Sequence, residues 1–145
     1  MFEKNRFVGF LLLLVALASV HVSAGVLVDD AYIRGGPPGQ EVAAAFFRLT
    51  NQSGDDCDLI GASSAVAGEA EIHAHFHQKG LMQMRRVNRL TLPAGETVVF
   101  EPGGYHLMLL GIEQSLVDGD RHSLTLLFSG CPEQTVQAEV RSVLR

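Results

Sequence analysis

The sequence predicts an all-β protein, an antiparallel sandwich or barrel, and three observations carry that prediction. Short runs of β-branched and apolar residues recur along the chain beyond residue 25. Clusters of Gly, Pro, Asn and Asp separate these runs, and no helical period stands out beyond the first two dozen residues. Val26 to Tyr32 and Val42 to Thr50 are the first two expected strands, parted by Gly35-Gly36-Pro37-Pro38-Gly39. Ala43-Ala44-Ala45 has helix propensity, but its flanks carry turn residues and no caps, so it stays a strand. Asn51-Gln52-Ser53-Gly54-Asp55-Asp56 turns the chain into Cys57 to Ala62. Ala70 to Phe76 and Leu81 to Val87 follow, and the Lys79-Gly80 turn between them is short enough to make a hairpin. Turns at Pro93-Ala94-Gly95, Pro102-Gly103-Gly104 and Asp118-Gly119-Asp120 separate the last expected strands, Thr97 to Phe100, His106 to Leu110, Ser123 to Phe128 and Thr135 to Val143. Many short strands at close spacing belong to sandwiches and barrels. There is no internal repeat and no low-complexity tract.

Residues 1–24 open with Lys4 and Arg6, run apolar from Phe7 to Val20 and end in Val22-Ser23-Ala24. A charged start, a short apolar run and small residues before a cut describe a secretory signal peptide. The run is shorter than the roughly 20 residues that span a bilayer, which favours cleavage after Ala24 over an uncleaved anchor. The expectation is therefore a signal peptide over 1–24, a single β domain over 25–145, and an exported, soluble, periplasmic product without stable membrane insertion. The formal net charge is −5, and loss of the leader makes it more negative. A mildly acidic chain whose densest basic spot is Arg85-Arg86 is a poor match for nucleic acid or anionic lipid.

Two cysteines, Cys57 and Cys131, in an oxidising compartment point to one disulfide between an early and a late part of the chain. Two separate thiols remain the alternative, because spacing alone does not bring their Cα atoms within bridging distance. They form no Cys-x-x-Cys motif, so a thioredoxin-like function has no support. Asn51-Gln52-Ser53 has the form of a glycosylation sequon, which a loop of this composition produces by chance.

The residues that carry chemistry are histidines and methionines. Four of the six histidines lie within residues 73–106. On a strand, alternation puts His73, His75 and His77 on one face and Ile72, Ala74 and Phe76 on the other, the core face. Met82 shares a face with Met84, and His106 with Met108, while Leu107 and Leu109 point the opposite way. The hairpin sets His73 or His75 opposite Met82 or Met84. Taken singly, each methionine is flexible core filler and each histidine a polar surface group. Jointly, His73, Met84, His106 and Met108 make a set of imidazoles and thioethers, a donor set that suits Cu(I).

Ten residues separate His73 from Met84, and twenty-one separate Met84 from the His106-Leu107-Met108 tripeptide. With Gly80-Leu81-Met82-Gln83-Met84-Arg85, Leu92-Pro93-Ala94-Gly95 and Glu101-Pro102-Gly103-Gly104-Tyr105-His106, this pattern resembles the PCu(A)C family of periplasmic copper chaperones. The resemblance runs from about Ala31 to Val143. It implies a cupredoxin-like Greek-key β-barrel that holds one exchangeable Cu(I), on His73, Met84, His106 and Met108, for the copper centres of a terminal cytochrome oxidase. The partner it implies is a copper-acceptor protein, such as an oxidase subunit or another assembly factor, and the role is delivery rather than catalysis. The chain carries His75 and His77 in the region where family members often have a methionine, and it lacks the His- and Met-rich tail that some relatives add for a second copper, so one metal site is expected.

Cu(I) is d¹⁰ and demands no fixed geometry, so neutral donors can leave one by one as an acceptor's thiolates take over. No cysteine lies among the proposed ligands, which argues against a blue-copper electron carrier. Gly103-Gly104 and Tyr105 are expected to position His106. The nearest rival is a Zn(II) or Cu(II) buffer built on the strand of His73, His75 and His77. A metal-free interaction domain, and a copper oxygenase with His21 as its N-terminus, stand further off.

Overall fold

A computed structural model describes residues 24–143, so the expected signal peptide lies almost wholly outside the described residues. Ten strands follow in order: β1 (Val26–Gly35), β2 (Val42–Asn51), β3 (Cys57–Ser64), β4 (Glu69–Gln78), β5 (Leu81–Arg86), β6 (Leu90–Leu92), β7 (Thr97–Phe100), β8 (His106–Leu110), β9 (Arg121–Ser129) and β10 (Gln134–Ser142). No helix occurs among the described residues. The all-β expectation holds. The short β6 was not anticipated, because three residues carry no legible period.

Seven of the strands close on themselves in the order β4-β8-β2-β1-β10-β9-β3, and the ring is sealed where Ala62 of β3 pairs with Ala70 of β4. Closure removes the exposed edges that an open sheet would present. Three strands hang from the ring: β5 pairs with β4, β6 with β3 and β7 with β2. The chain crosses over from β2 to β3 and from β8 to β9 instead of turning back on its neighbour, which gives the barrel its Greek-key character.

One pairing corrects the antiparallel expectation. Strands β1 and β10 run parallel, from Tyr32 opposite Glu139 to Gly35 opposite Ser142. They are the first and last strands, and no hairpin joins them to impose the opposite direction. Strand β1 also runs on to Gly35, beyond the expected end at Tyr32. A bulge between Asp29 and Tyr32, with Asp30 at φ 52°, rephases it and puts Ile33 in the core and Arg34 outside.

Alternation then decides what faces inward. Ile33, Ala45, Leu49, Leu107, Leu109, Leu124, Leu126, Ala138 and Val140 have no exposure at all and fill the barrel with Phe47 and Phe100, whose rings stack at 4.5 Å. Cys57 is joined to Cys131 by a disulfide with Cα atoms 5.7 Å apart, tying the start of β3 to the connection between β9 and β10. The sequon asparagine is structural. Asn51 is wholly buried, its Nδ2 donates to the carbonyls of Asp55 and Leu92, and its Oδ1 accepts from the amide and hydroxyl of Ser53.

Candidate metal centre

The site is built on the outward face of β4, β5 and β8, where alternation leaves the residues that the core does not take. On β4, Ile72 and Ala74 go inward, which turns Glu71, His73, His75 and His77 outward. On β8, Leu107 and Leu109 go inward, which turns His106 and Met108 outward. Register then brings these residues together: His73 is paired directly with His106, and Glu71 with Met108. Across the hairpin, His75 is paired with Met84 and His77 with Met82. Its two-residue turn, Lys79 at φ 51° and Gly80 at φ 76°, has the left-handed geometry that matches strand twist and locks this register.

His106 is the centre of the group and is only 5% exposed. Its Nδ1 lies 3.1 Å from the Gly104 carbonyl, and a carbonyl only accepts, so Nδ1 carries the proton and Nε2 is left with a free lone pair. That Nε2 stands 3.0 Å from the Met84 sulfur, another lone-pair donor. Neither atom has a proton for the other. Both atoms are left with lone pairs of the kind a soft cation accepts. The carbonyl is set by the turn before β8, in which the Glu101 amide donates to Tyr105, the Gly104 amide donates to Glu101, and Gly103 takes φ 85°. Tyr105 stacks on Phe100 with ring centres 5.6 Å apart, fixing the turn to the core. Burial pushes the His106 pKa below its ordinary value, against the opposing pull of the Gly104 carbonyl.

The other histidines gather around it. The His75 ring is 5.0 Å from that of His106, and its Nδ1 lies 3.4 Å from the same Gly104 carbonyl. The His73 ring is 5.8 Å from His106. Its Nε2 donates to Glu71 Oε2 at 2.7 Å, while its buried Nδ1 has no hydrogen-bond partner, so His73 too presents one uncommitted lone pair. Glu71 is held in turn by Arg86 at 2.8 Å. The His73 hydrogen bond, with the Arg86 charge in support, keeps the Glu71 carboxyl below the usual carboxylate range. Met84, Met108, His75 and His106 line one cavity of about 230 Å³, together with Arg34, Ala44 and Phe46.

The structure therefore brings together His73, His75, Met84, His106 and Met108 among the residues expected from sequence. His77 stays apart, exposed near the hairpin tip beside Met82. As the side chains stand, no group of three or more His, Cys, Asp or Glu among the described residues could hold a metal ion. A site here needs the thioethers. Glu71, beside His73, and Arg34, at the cavity wall, had no signal in the sequence, whereas the Gly104 carbonyl belongs to the turn expected to position His106. His122, away from this group on β9, is half-buried with an unpartnered Nε2.

The family described as "Putative lipoprotein LpqE-like" matches residues 26–140. The chain belongs to the LpqE-like family. Its match to "Putative lipoprotein Lxx21020" of Leifsonia xyli subsp. xyli (strain CTCB07) is 30% identical over 118 residues, 81% of this chain and 70% of the relative. Among solved structures, this LpqE-like chain is similar to CuI-DR1885 from Deinococcus radiodurans, at 27% identity and a TM-score of 0.68 over 88% of this chain and 85% of that one. It is also similar to the copper-bound PCuAC domain from PmoF2, at 23% identity and a TM-score of 0.68 over 84% and 97% of the two chains. The barrel of this LpqE-like protein is that of the PCuAC domains.

Proposed function

We propose that this LpqE-like protein is an exported copper chaperone that holds one Cu(I) on His73, Met84, His106 and Met108 and releases it to a copper-acceptor protein. The observation that carries the reading is the facing pair of His106 Nε2 and Met84 Sδ at 3.0 Å, with the other imidazole nitrogen committed to Gly104. The copper-bound solved relatives support it, and the lipoprotein description of the family supports export. His75, 5.0 Å from His106 and opposite Met84, is a reserve imidazole on the same face.

The donors are neutral and all but His106 are at least partly open to solvent, so the cargo is held without a thiolate that would retain it. Met84 is 50% exposed on a strand that pairs with the barrel only through β4, and it is the donor an acceptor meets first. In this reading the acceptor is an assembly factor or a copper-bearing subunit of a terminal cytochrome oxidase, and the compartment is the periplasm.

The test is X-ray absorption on the Cu(I)-loaded protein together with competition against a chromogenic Cu(I) chelator. Two sulfur donors are expected. Met84→Leu and Met108→Leu are each expected to weaken Cu(I) binding by at least the roughly 10–100-fold that follows loss of an outer-shell partner at a metal site. Unchanged affinity in both variants would sink the reading and favour a Zn(II) or Cu(II) buffer on the histidine strand.

A further inference from the structure

We propose that Arg34 and the cavity beside it form a subsite for an anionic sulfur ligand, the thiolate of the protein that takes the copper. The inference rests on the copper reading above. It adds the residue that would make thiolate acceptors better customers than neutral ones.

Arg34 projects from the outer face of β1 and lines the same cavity as His106, Met84 and Met108. The register explains how: Arg34 is paired with Ala44, and Ala44 with Met108. Two ladder steps put the Arg34 and Met108 backbones about 10 Å apart, a gap that an arginine side chain can bridge toward a methionine reaching the other way. Ala44 lies between them with a single methyl, so the space stays open. A second cavity of about 320 Å³ is also lined by Arg34, Ala44 and Met108.

Arg34, Arg85 and Arg121 enter no ion pair among the described residues, and of these three only Arg34 lines the cavity of His106, Met84 and Met108. An uncompensated guanidinium beside a cavity meant for a cation repels that cation, and the proposed donors are all neutral. An anion that joins the site offsets both positive charges. Phe46, 3% exposed, and Pro102 wall the cavity on its apolar side, where a charge is felt more strongly than in open water.

The chemistry is a ligand exchange without redox change. The acceptor thiol loses its proton to bulk water, a loss that a nearby arginine favours. The thiolate lone pair forms a bond to Cu(I), one thioether leaves with its own lone pair, and copper remains monovalent throughout.

The experiment compares transfer from the Cu(I)-loaded protein to two probe peptides under anaerobic stopped flow, one with a Cys-x-x-Cys pair and one whose donors are methionines. Arg34→Gln is expected to slow transfer to the cysteine peptide roughly tenfold, to leave transfer to the methionine peptide without such slowing, and to hold or modestly raise Cu(I) affinity as the repulsion is relieved. Arg34→Lys should keep most of the cysteine rate. Equal slowing toward both peptides, or none toward the cysteine peptide, would overturn the subsite while leaving the copper reading in place. A wild-type protein that takes up no Cu(I) would overturn both.

Discussion

His106 and Glu71 are both held in their deprotonated forms, one neutral and one charged, and both are visible in how the apo protein should respond to acid. Burial favours neutral His106, so as pH falls below its ordinary value of 6.5 the unfolded chain takes up a proton before the folded one does. Stability is then whole above that value and declines as pH drops through the lower folded pKa. Glu71 is held ionised, so its contribution is present above its ordinary 4.5 and is lost as pH falls through its depressed folded value. Denaturant unfolding of the metal-free protein across this range is expected to show two acid limbs. His106→Gln should erase the upper limb and Glu71→Gln the lower. An imidazolium cannot ligate, so the same depression of His106 should keep copper bound somewhat below pH 6.5, which chelator competition at a series of pH values would measure. At this scale, the outward placement of the proposed donors His73, His106 and Met108 was legible, because strand alternation fixes a face from sequence alone. Arg34 and Glu71 were not, since alternation says nothing about which outward residues meet across a ladder.

The β4-β5 hairpin is the element on which the site depends most and the barrel least. All six residues of β5 are exposed, so its attachment rests on pairing with β4 and on the turn. Gly80 at φ 76° is the position a side chain would strain, by about 1–2 kcal/mol for a non-glycine residue in that region. Gly80→Val is expected to speed amide exchange over Leu81 to Arg86 and to weaken Cu(I) binding by displacing Met84, with little change in Tm because the strand adds nothing to the core. A fall in Tm as large as that of a core deletion would contradict this. The hairpin was legible from Lys79-Gly80 between two apolar runs, and so was the long β2, despite its alanines. The β1 bulge was not, because an extra residue changes phase without changing composition, and that phase is what turns Arg34 outward.

Over the whole molecule, the closed ring of seven strands explains why so small a core suffices, and the disulfide reinforces it by linking residues 74 apart in sequence. A loop of that length gives about 4 kcal/mol of stabilisation on chain-entropy grounds. Replacing Cys57 and Cys131 with alanine is expected to lower unfolding free energy by about that amount, read from denaturant midpoints. Copper affinity should be unchanged under native conditions, since neither β3 nor the β9-β10 connection supplies a donor. The barrel class followed from strand count and turn spacing. The ring order did not, because long-range neighbours such as β8 between β4 and β2 are chosen by packing and not by any local signal. The parallel seam between β1 and β10 has a mechanical consequence. Opposed tension applied at Val26 and Ser142 runs along both strands and loads the ladder from Tyr32 to Gly35 in shear. Its hydrogen bonds must then break together instead of unzipping one at a time, so the barrel should resist stretching from its ends far better than an acceptor prising at the free edge of β5.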